Sequence, residues 1–501
     1  MNLKSILVGI EGLKAMGSLD LDISSIECDY RAVKENSMFV AIKGFEFDGH
    51  SFIKDAIDNG AKVIMFEEGV NYKEFIKNKS VTFIMAPDTR LALSLCSCNF
   101  YDNPSKKMKV IGITGTKGKT TTSFMIKDIL EKTGKKVGLI GTIAIYIGDT
   151  KVKNSERTTP ESNQLQEILD RMYQMGIEIV VMEVSSQSLK LNRVAGMEFY
   201  AGIFTNFAED HISDKEHKDM DEYFNSKLKL FDMCKYAYIN VDNIYTTRVP
   251  ELIKDKCTVE TYGIDNYCNF LAKDVTVTNT YADFRAKINN KNERIKVSIP
   301  GRFSIYNALA AIKVSLLFGA NIENIREALE NVKVPGRSEL IENKLELKIM
   351  IDYAHTPESL ENILKTIKIY TIGRIICVFG CGGDRDKAKR PQMGEISGKI
   401  AEYTIITTDN PRTEKPIDII KDIEEGIKKT KGQYEIIEDR KEAIKKAISM
   451  ANKNDVIIIA GKGHEVYQEI NGEKIPFDEK EIINDIIKEI GNNPKKKKKK
   501  K

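Results

Sequence analysis

The chain contains no tryptophan, only eight cysteines in 501 residues, and no apolar run approaching the ~18 residues that a membrane span needs. The missing tryptophan excludes nothing by itself. The cysteines exclude more: Cys96 and Cys98 stand too close for a metal pair, Cys377 and Cys381 flank a strand-like Val-Phe, and the others are scattered. Neither a disulfide framework nor a zinc site is indicated, and the thiols read as reduced, in a cytoplasmic protein. An apolar patch from Ile6 to Ile10 is stopped by Glu11, which is too short for the core of an export signal. Excess charge is also lacking. The net charge is +4, but Lys495 to Lys501 are seven consecutive lysines, so the remainder carries +4 less 7, or −3. The basicity belongs to a solvated tail, 491–501, and a nucleic-acid partner loses its support.

Apolar content of 42% with 30% charge is ordinary for a globular protein, and the length predicts about three domains. The most informative stretch is Val110 to Thr122, where a β-branched run turns through glycines into a segment of helical periodicity (Phe124, Ile126, Ile129, Leu130). Strand, glycine loop and helix in that order make a phosphate-binding loop: backbone N–H groups curl around phosphate oxygens, the helix N-terminus adds its positive end, and Lys119 adds a full charge. Thr120 is placed to offer its hydroxyl to Mg²⁺. The first glycine of the common Gly-x4-Gly-Lys-Ser/Thr pattern is replaced by Ile113, so the signature is the tighter Gly115-Thr116-Lys117-Gly118-Lys119-Thr120, followed by Thr121.

The first ~105 residues mix strands (Ser37 to Ile42, Ala61 to Phe66, Val81 to Met85) with helical pieces (Ser51 to Asn59, Thr89 to Phe100), predicting a small α/β domain that ends at a polar connector beginning at Tyr101. Beyond the loop, Ile177 to Glu183 reads as a buried parallel strand delivering a carboxylate at its carboxyl end, where open α/β sheets bind ligands. A further strand, Ala201 to Phe204, leads to Thr205-Asn206 and Asp210-His211, and a helix is expected over Tyr223 to Phe231. His211 alone could be a core histidine; beside a phosphate loop and Glu183 it reads as a metal-side residue. A hinge is expected at Val334-Pro-Gly-Arg337. The last part alternates strands (Lys348 to Tyr353, Ile375 to Phe379, Tyr403 to Thr407, Val456 to Ala460) with helices, predicting a doubly wound, Rossmann-like sheet. Its Gly380-Cys-Gly-Gly383 is followed by Asp384-Arg385-Asp386 rather than by a dinucleotide fingerprint, which argues against NAD.

Along nearly its whole length the sequence resembles the Mur ligases, ATP-dependent amide-bond synthetases of peptidoglycan precursor assembly. The resemblance is carried by Gly115 to Thr120, Thr158-Thr-Pro160, Glu183-Val-Ser-Ser186, Thr205-Asn206, Asp210-His211, Asn307 to Ala311, Pro335-Gly-Arg337, Asp352 to Pro357, Gly380 to Pro391, Asp409-Asn-Pro-Arg412 and Gly461-Lys-Gly-His-Glu465. It implies three α/β domains: 1–105 binding a UDP-MurNAc substrate, 106–335 a central P-loop ATPase domain, and 336–490 a Rossmann-like domain binding an amino acid. It implies ATP and Mg²⁺ as cofactors. The expected substrates are UDP-MurNAc-L-Ala-D-Glu and a diamino acid, handled by a monomer.

The resemblance also implies roles. Lys119, Glu183, His211 and Lys227 would be catalytic, with metal held by Thr120, Glu183, His211 and Lys227 as its carbamate. ATP would meet Gly115 to Thr121, Asn307, Arg337 and Asp352. The UDP substrate would meet Tyr30, Arg31, Thr158, Thr159, Ser185 and Arg193, although Tyr30 and Gln187 depart from the serine and histidine usual at their places. The amino acid would meet Arg385, Asp409, Asn410, Pro411, Arg412, Gly461 and Glu465. An arginine at 412 points to meso-diaminopimelate, whose extra carboxylate a guanidinium pairs bidentately. Blander readings stay open at this stage: Lys227 as a solvated helix lysine, Asp352 as a turn cap, Arg412 as a surface turn residue. So do L-lysine or lanthionine as the amino acid, a folylpolyglutamate-type ligase, and a non-catalytic nucleotide switch, though the Asn-Lys-x-Asp a guanine-nucleotide switch needs is absent from the central domain.

Overall fold

A computed structural model describes residues 1–45, 47–70, 80–210, 212–213, 216–278 and 280–492. The chain divides into two compact units, one formed by Met1–Leu271 with Tyr306–Ile325, the other by Ala272–Ile305 with the chain from Arg326 onward.

In the first unit, valine, isoleucine and methionine runs make two sheets. The strands Ser25–Glu27, Ser37–Val40, Val63–Glu67 and Thr82–Ala86 run parallel, and Lys14–Met16 adds antiparallel beside Thr82–Ala86. Apolar side chains on both faces meet helices, among them Thr89–Phe100, whose start is fixed by Asp88 accepting from Arg90 N and Leu91 N. The second sheet has nine strands. Seven are parallel in the order Phe270–Leu271, Thr258–Gly263, Cys234–Asn240, Phe199–Phe204, Lys109–Thr114, Ile179–Glu183, Val137–Ile140, and the antiparallel strands Ala144–Ile147 and Thr150–Asn154 extend it. Lys109–Thr114 is thus central, flanked by Phe199–Phe204 and Ile179–Glu183. The carboxyl ends of all three strands open on one edge, which is where such sheets bind ligands.

In the second unit, Lys348–Asp352, Val456–Ala460, Ile375–Phe379, Tyr403–Ile406 and Gln433–Ile436 form a parallel sheet in that order, edged by antiparallel Glu339–Ile341. Isoleucine-rich clusters cover both faces, as a sheet sandwiched by helices requires. A three-stranded antiparallel sheet, Lys273–Val277, Ala282–Ile288 and Lys291–Val297, also belongs to this unit. All eight cysteines are free thiols. Among the described residues no helix is long and apolar enough to cross a membrane.

Helix boundaries differ from expectation where the cap decides. The segment expected as one helix from Ser51 begins as a 3-10 turn, Gly49–Phe52, capped by Asp48, and becomes α-helical at Ile53. The helix expected from Tyr223 starts at Met220, because Asp219 accepts from Glu222 N, and it passes into a 3-10 turn at Lys229–Met233.

Candidate active site

The loop Gly115 to Gly118 leaves the central strand and enters the helix Lys119–Lys132, which has no side-chain cap because Gly118 stands at its start. Its shape is imposed by the neighbouring strand end. Thr116 N donates to Asn206 O (3.0 Å), Lys117 N to Asn206 Oδ1 (2.8 Å), and Thr205 Oγ1 and Asn206 Nδ2 both donate to Lys117 O (2.6 and 3.0 Å). Thr205-Asn206 is therefore the brace of the loop. Gly115 is held at φ 139°, and a Cβ there would fall against the Thr205 hydroxyl and within 3.0 Å of Asn206 O. Only glycine accepts both constraints.

Lys119 Nζ donates to Gly115 O (2.8 Å) and Thr116 O (3.0 Å), so its charge lies within the loop. Thr120 Oγ1 donates to Glu183 Oε2 (3.0 Å), and Thr142 supplies the same carboxylate with its N–H (2.8 Å to Oε1) and hydroxyl (3.0 Å to Oε2). Glu183 is buried, and three donors satisfy it. A hydroxyl and a carboxylate oxygen side by side are the hard oxygen donors that Mg²⁺ takes, so Thr120 and Glu183 fit that ion. Among the described residues no cluster of three His, Cys, Asp or Glu side chains could hold a metal. His211 lies outside the described residues.

Lys227 is only 1% exposed, which removes its reading as a solvated helix lysine. Its Nζ donates to Gly115 O (3.0 Å) and lies 4.5 Å from the centre of the Tyr223 ring, while Tyr223 Oη is 3.0 Å from Thr116 Oγ1. Burial, reinforced by the Lys119 charge and only partly opposed by Asp210, pushes the Lys227 amine well below its usual value.

Lys119 and Lys227 line a cavity of about 210 Å³ together with Arg157, Thr158, Thr159, Ser185, Ser186, Gln187, Arg193, Glu216 and His217. Four of the six side chains expected to hold the UDP substrate therefore share one cavity with the loop. Thr159 Oγ1 donates to Glu183 O (2.9 Å) and accepts from Ser185 N (3.1 Å). Tyr30 and Arg31 are not brought there: Tyr30 stacks on Phe52 at 4.7 Å, and exposed Arg31 pairs with Asp29 at 2.7 Å. Asn307 does reach the loop, since a Cβ on Gly118 would meet its Oδ1 at 2.5 Å.

Residues without an assigned role line or support this wall. Glu161 sits at the start of the helix Ser162–Gln174 without capping it; its carboxylate instead meets Arg193 (3.2 Å), Arg157 (3.3 Å) and Arg90 (3.8 Å). His217, fully buried, has Nε2 2.9 Å from Ser186 Oγ and Nδ1 3.7 Å from Glu222 Oε2. The signal for Thr142 was a Gly-Thr just past the end of the strand Val137–Ile140.

The second unit gathers the other expected side chains. Asp352 accepts from Ser338 N (2.7 Å) and Ala354 N (2.8 Å), so it does tie a local turn; burial raises its carboxyl above the usual value, opposed by Arg337. Arg337 lies over the Tyr353 ring at 4.4 Å. Gly336, at φ 66°, packs so closely on the backbone of Gly463 and His464 that a Cβ would collide with it. That contact joins the Pro-Gly-Arg turn to the Gly461–Glu465 loop.

Asn410 is fixed at every polar atom of its side chain. Nδ2 donates to Glu465 Oε2 (2.8 Å), and Oδ1 accepts from Lys462 Nζ (2.9 Å) and Glu469 N (3.0 Å). Lys462 is fully buried and also reaches Glu465 Oε2 (3.2 Å). Arg412 donates through Nη1 to Gly383 O (2.7 Å) and through Nε to Glu469 Oε2 (3.1 Å), so it is a bonded member of the cluster rather than a free surface residue. Pro411 lies between them in sequence, and Asp409 Oδ1 accepts from Asn410 N (2.7 Å) while its Oδ2 faces Gly461. Arg385 is exposed, but its Cγ comes within 3.8 Å of a Cβ built on Gly382, the same point that Arg412 Nη1 approaches to 3.0 Å.

Three family models match in succession: "Mur ligase family, catalytic domain" over 22–101, "Mur ligase middle domain" over 113–315 and "Mur ligase, glutamate ligase domain" over 336–463. The chain belongs to the Mur ligase family. It is 47% identical over 493 residues to the UDP-N-acetylmuramoyl-L-alanyl-D-glutamate--2,6-diaminopimelate ligase of Clostridium botulinum, covering 98% of this chain and 100% of that one. The protein of the same name from Clostridium tetani is 44% identical over 493 residues, with the same coverage. A solved structure titled as a UDP-N-acetylmuramoyl-L-alanyl-D-glutamate--2,6-diaminopimelate ligase superposes with a TM-score of 0.69 at 27% identity, covering 98% of this chain and 100% of that one. The three-domain α/β architecture of the family is thereby this chain's own.

Proposed function

We propose that this Mur ligase joins meso-diaminopimelate to UDP-MurNAc-L-Ala-D-Glu, using ATP and passing through an acyl phosphate. The observation that carries the reading is one cavity shared by Lys119 and Lys227 with Thr158, Thr159, Ser185 and Arg193, next to the bonded pair of Thr120 and Glu183, whose carbonyl accepts from Thr159. A phosphoryl donor and a carboxylate acceptor are the two groups that such a wall would hold together.

The first step breaks the bond between the terminal phosphorus of ATP and ADP and forms one from that phosphorus to an oxygen of the D-glutamyl carboxylate. Charge on the transferring group is met by Lys119 and by loop N–H groups at the helix start. Mg²⁺, held by Thr120 and Glu183 with His211 and Lys227, would neutralise phosphate charge. In the second step the amine of the amino acid forms the C–N bond, phosphate leaves, and the amine loses a proton.

Lys227 belongs to the metal set as its carbamate. A neutral amine attacks CO₂ to give a carbamate anion and a proton, and burial beside Lys119 favours the neutral form of that amine. Asn307, Arg337 and Asp352 would bind the nucleoside of ATP, and Tyr30 and Arg31 the uridine end of the acceptor. Arg412 and Arg385 would take the distal carboxylate of diaminopimelate, and Glu465, beside Asp409, Asn410 and Gly461, its distal ammonium. In this reading 1–105 binds the UDP substrate, 106–335 binds ATP and 336–490 selects the amino acid, in a monomer acting in the cytoplasm.

Phosphate release by the purified protein, with ATP, Mg²⁺, UDP-MurNAc-L-Ala-D-Glu and a panel of diamino acids, tests the whole reading. Turnover with meso-diaminopimelate well above L-lysine and lanthionine is expected. Equal turnover with L-lysine would refute the role of Arg412. No turnover with any acceptor, despite ATP binding, would favour a nucleotide switch.

A further inference from the structure

Beyond the Gly461–Glu465 loop, the strand Tyr467–Ile470 turns at Asn471-Gly472 and pairs with Glu473–Pro476. This hairpin grips one residue of the Asp409–Arg412 turn. Ile470 bridges Arg412, whose N–H donates to Glu469 O (3.0 Å) and whose carbonyl accepts from Asn471 N (2.8 Å). The side chain is gripped as well, through Nε to Glu469 Oε2 at 3.1 Å. Glu469 N donates to Asn410 Oδ1 (3.0 Å), so the same residue touches two members of the turn. Arg412 has φ 51°, a left-handed conformation that a non-glycine residue keeps only when its surroundings impose it. The hairpin is what imposes it.

We propose that Glu469 is a specificity-determining positioning residue, which locks the Arg412 guanidinium so that its remaining N–H donors face the distal carboxylate of the amino-acid substrate. The inference rests on the assignment of Arg412 to that carboxylate. A guanidinium has five N–H donors; Glu469 takes the one on Nε and Gly383 O takes one on Nη1, leaving the Nη edge to pair with an anion. A side chain with four rotatable bonds loses much of its freedom when a carboxylate recognises it. Here Glu469 and Gly383 have already restricted it. Glu469 thereby favours an amino acid that ends in a carboxylate and offers nothing to one that ends in an ammonium alone.

Steady-state kinetics of the full-length enzyme with meso-diaminopimelate, ATP and UDP-MurNAc-L-Ala-D-Glu test this with Glu469→Ala, Glu469→Gln, Arg412→Ala and the double alanine variant. Glu469→Ala should raise the KM for diaminopimelate about tenfold, the scale of a hydrogen bond to a charged group, with a much smaller change in kcat and in the KM for ATP. Glu469→Gln, whose amide oxygen still accepts from Nε, should recover most of the loss. The double variant should be no worse than Arg412→Ala alone. If Arg412→Ala raises that KM and Glu469→Ala does not, or if the two losses add, the positioning role is overturned. A general collapse of the hairpin would instead raise the KM for every substrate without rescue by glutamine, which would also overturn it. An unchanged KM in Arg412→Ala would overturn the assignment beneath the proposal, and the proposal with it.

Discussion

Lys119→Ala isolates the charge that the phosphate loop contributes. The ammonium lies at the cavity wall, 2.8 Å from Gly115 O and 3.0 Å from Thr116 O. A phosphoryl oxygen ~4 Å away would interact with it by about 4 kcal/mol at an effective dielectric of ~20, and each ~1.4 kcal/mol is a factor of ten in rate. Lys227 does not replace the charge: burial drives its amine toward neutrality, and as a carbamate it would be an anion. The variant should therefore lose about 10³-fold in kcat/KM for ATP-dependent phosphate release. The loop itself should survive, because Thr205 and Asn206 brace it and Lys227 also donates to Gly115 O (3.0 Å). Thermal melting close to that of the parent chain, alongside the lost activity, is the expected pair of results. A loss of less than about tenfold would refute the assignment of Lys119 to the transferring phosphate.

Carbamylation of Lys227 predicts that CO₂-depleted buffer lowers ligation and that bicarbonate restores it, with Lys227→Met slow under both conditions; activity indifferent to bicarbonate counts against the modification. In the second unit, hydrogen bonds from Arg390 hold the Glu414 carboxyl down to about 2. Its stabilising effect is fully present above the unfolded value of ~4.3 and fades as pH falls toward about 2. Glu414→Gln should consequently be less stable at neutral pH, and urea unfolding should show the gap narrowing between about pH 5 and the acid limit. A gap that stays constant with pH would mean the ion pair does not stabilise the fold. Replacing fully buried Arg390 by methionine removes the partner of Glu414 and Asp422, which keep some contact with water, and should cost about 1.5–3 kcal/mol in the same assay.

Local order was legible in the sequence where one residue type settles it. The helix Thr89–Phe100 has the bounds expected, with Asp88 fixing its start, and the strand ending at Glu183 delivers its carboxylate beside the phosphate loop as the sheet rule predicts. The antiparallel strand Ala282–Ile288 was not among the expected elements, although apolar Ala282, Phe284, Ala286 and Ile288 alternate with polar residues in the sequence. What periodicity could not carry is pairing between distant segments. Thr142 supplies two of the three donors to Glu183 from a separate strand end, and buried Lys462 joins Asn410 to Glu465 across the sheet. Motif residues announce which groups the chemistry needs. The partners that hold them still have no spacing rule.

Those partners bear on how the site would discriminate. Lys119 is already hydrogen-bonded to loop carbonyls, Glu183 to Thr120 and Thr142, and Arg412 to Glu469 and Gly383. In the reading proposed above, a ligand at Lys119 or Glu183 exchanges hydrogen bonds rather than filling vacant ones, so its net gain is small unless it matches several groups at once. For Lys119 the exchange swaps neutral carbonyl acceptors for a phosphate anion, a stronger partner for a cation. For Arg412, Nη2 and the second hydrogen on Nη1 lie outside its present bonds to Glu469 and Gly383 and need no exchange, provided the ligand carries a carboxylate. An amino acid ending in an ammonium alone would still meet Glu465, but it would face the guanidinium with like charge and leave that guanidinium without an anion. Selectivity between diamino acids then follows from an arginine that is held in place before the substrate arrives.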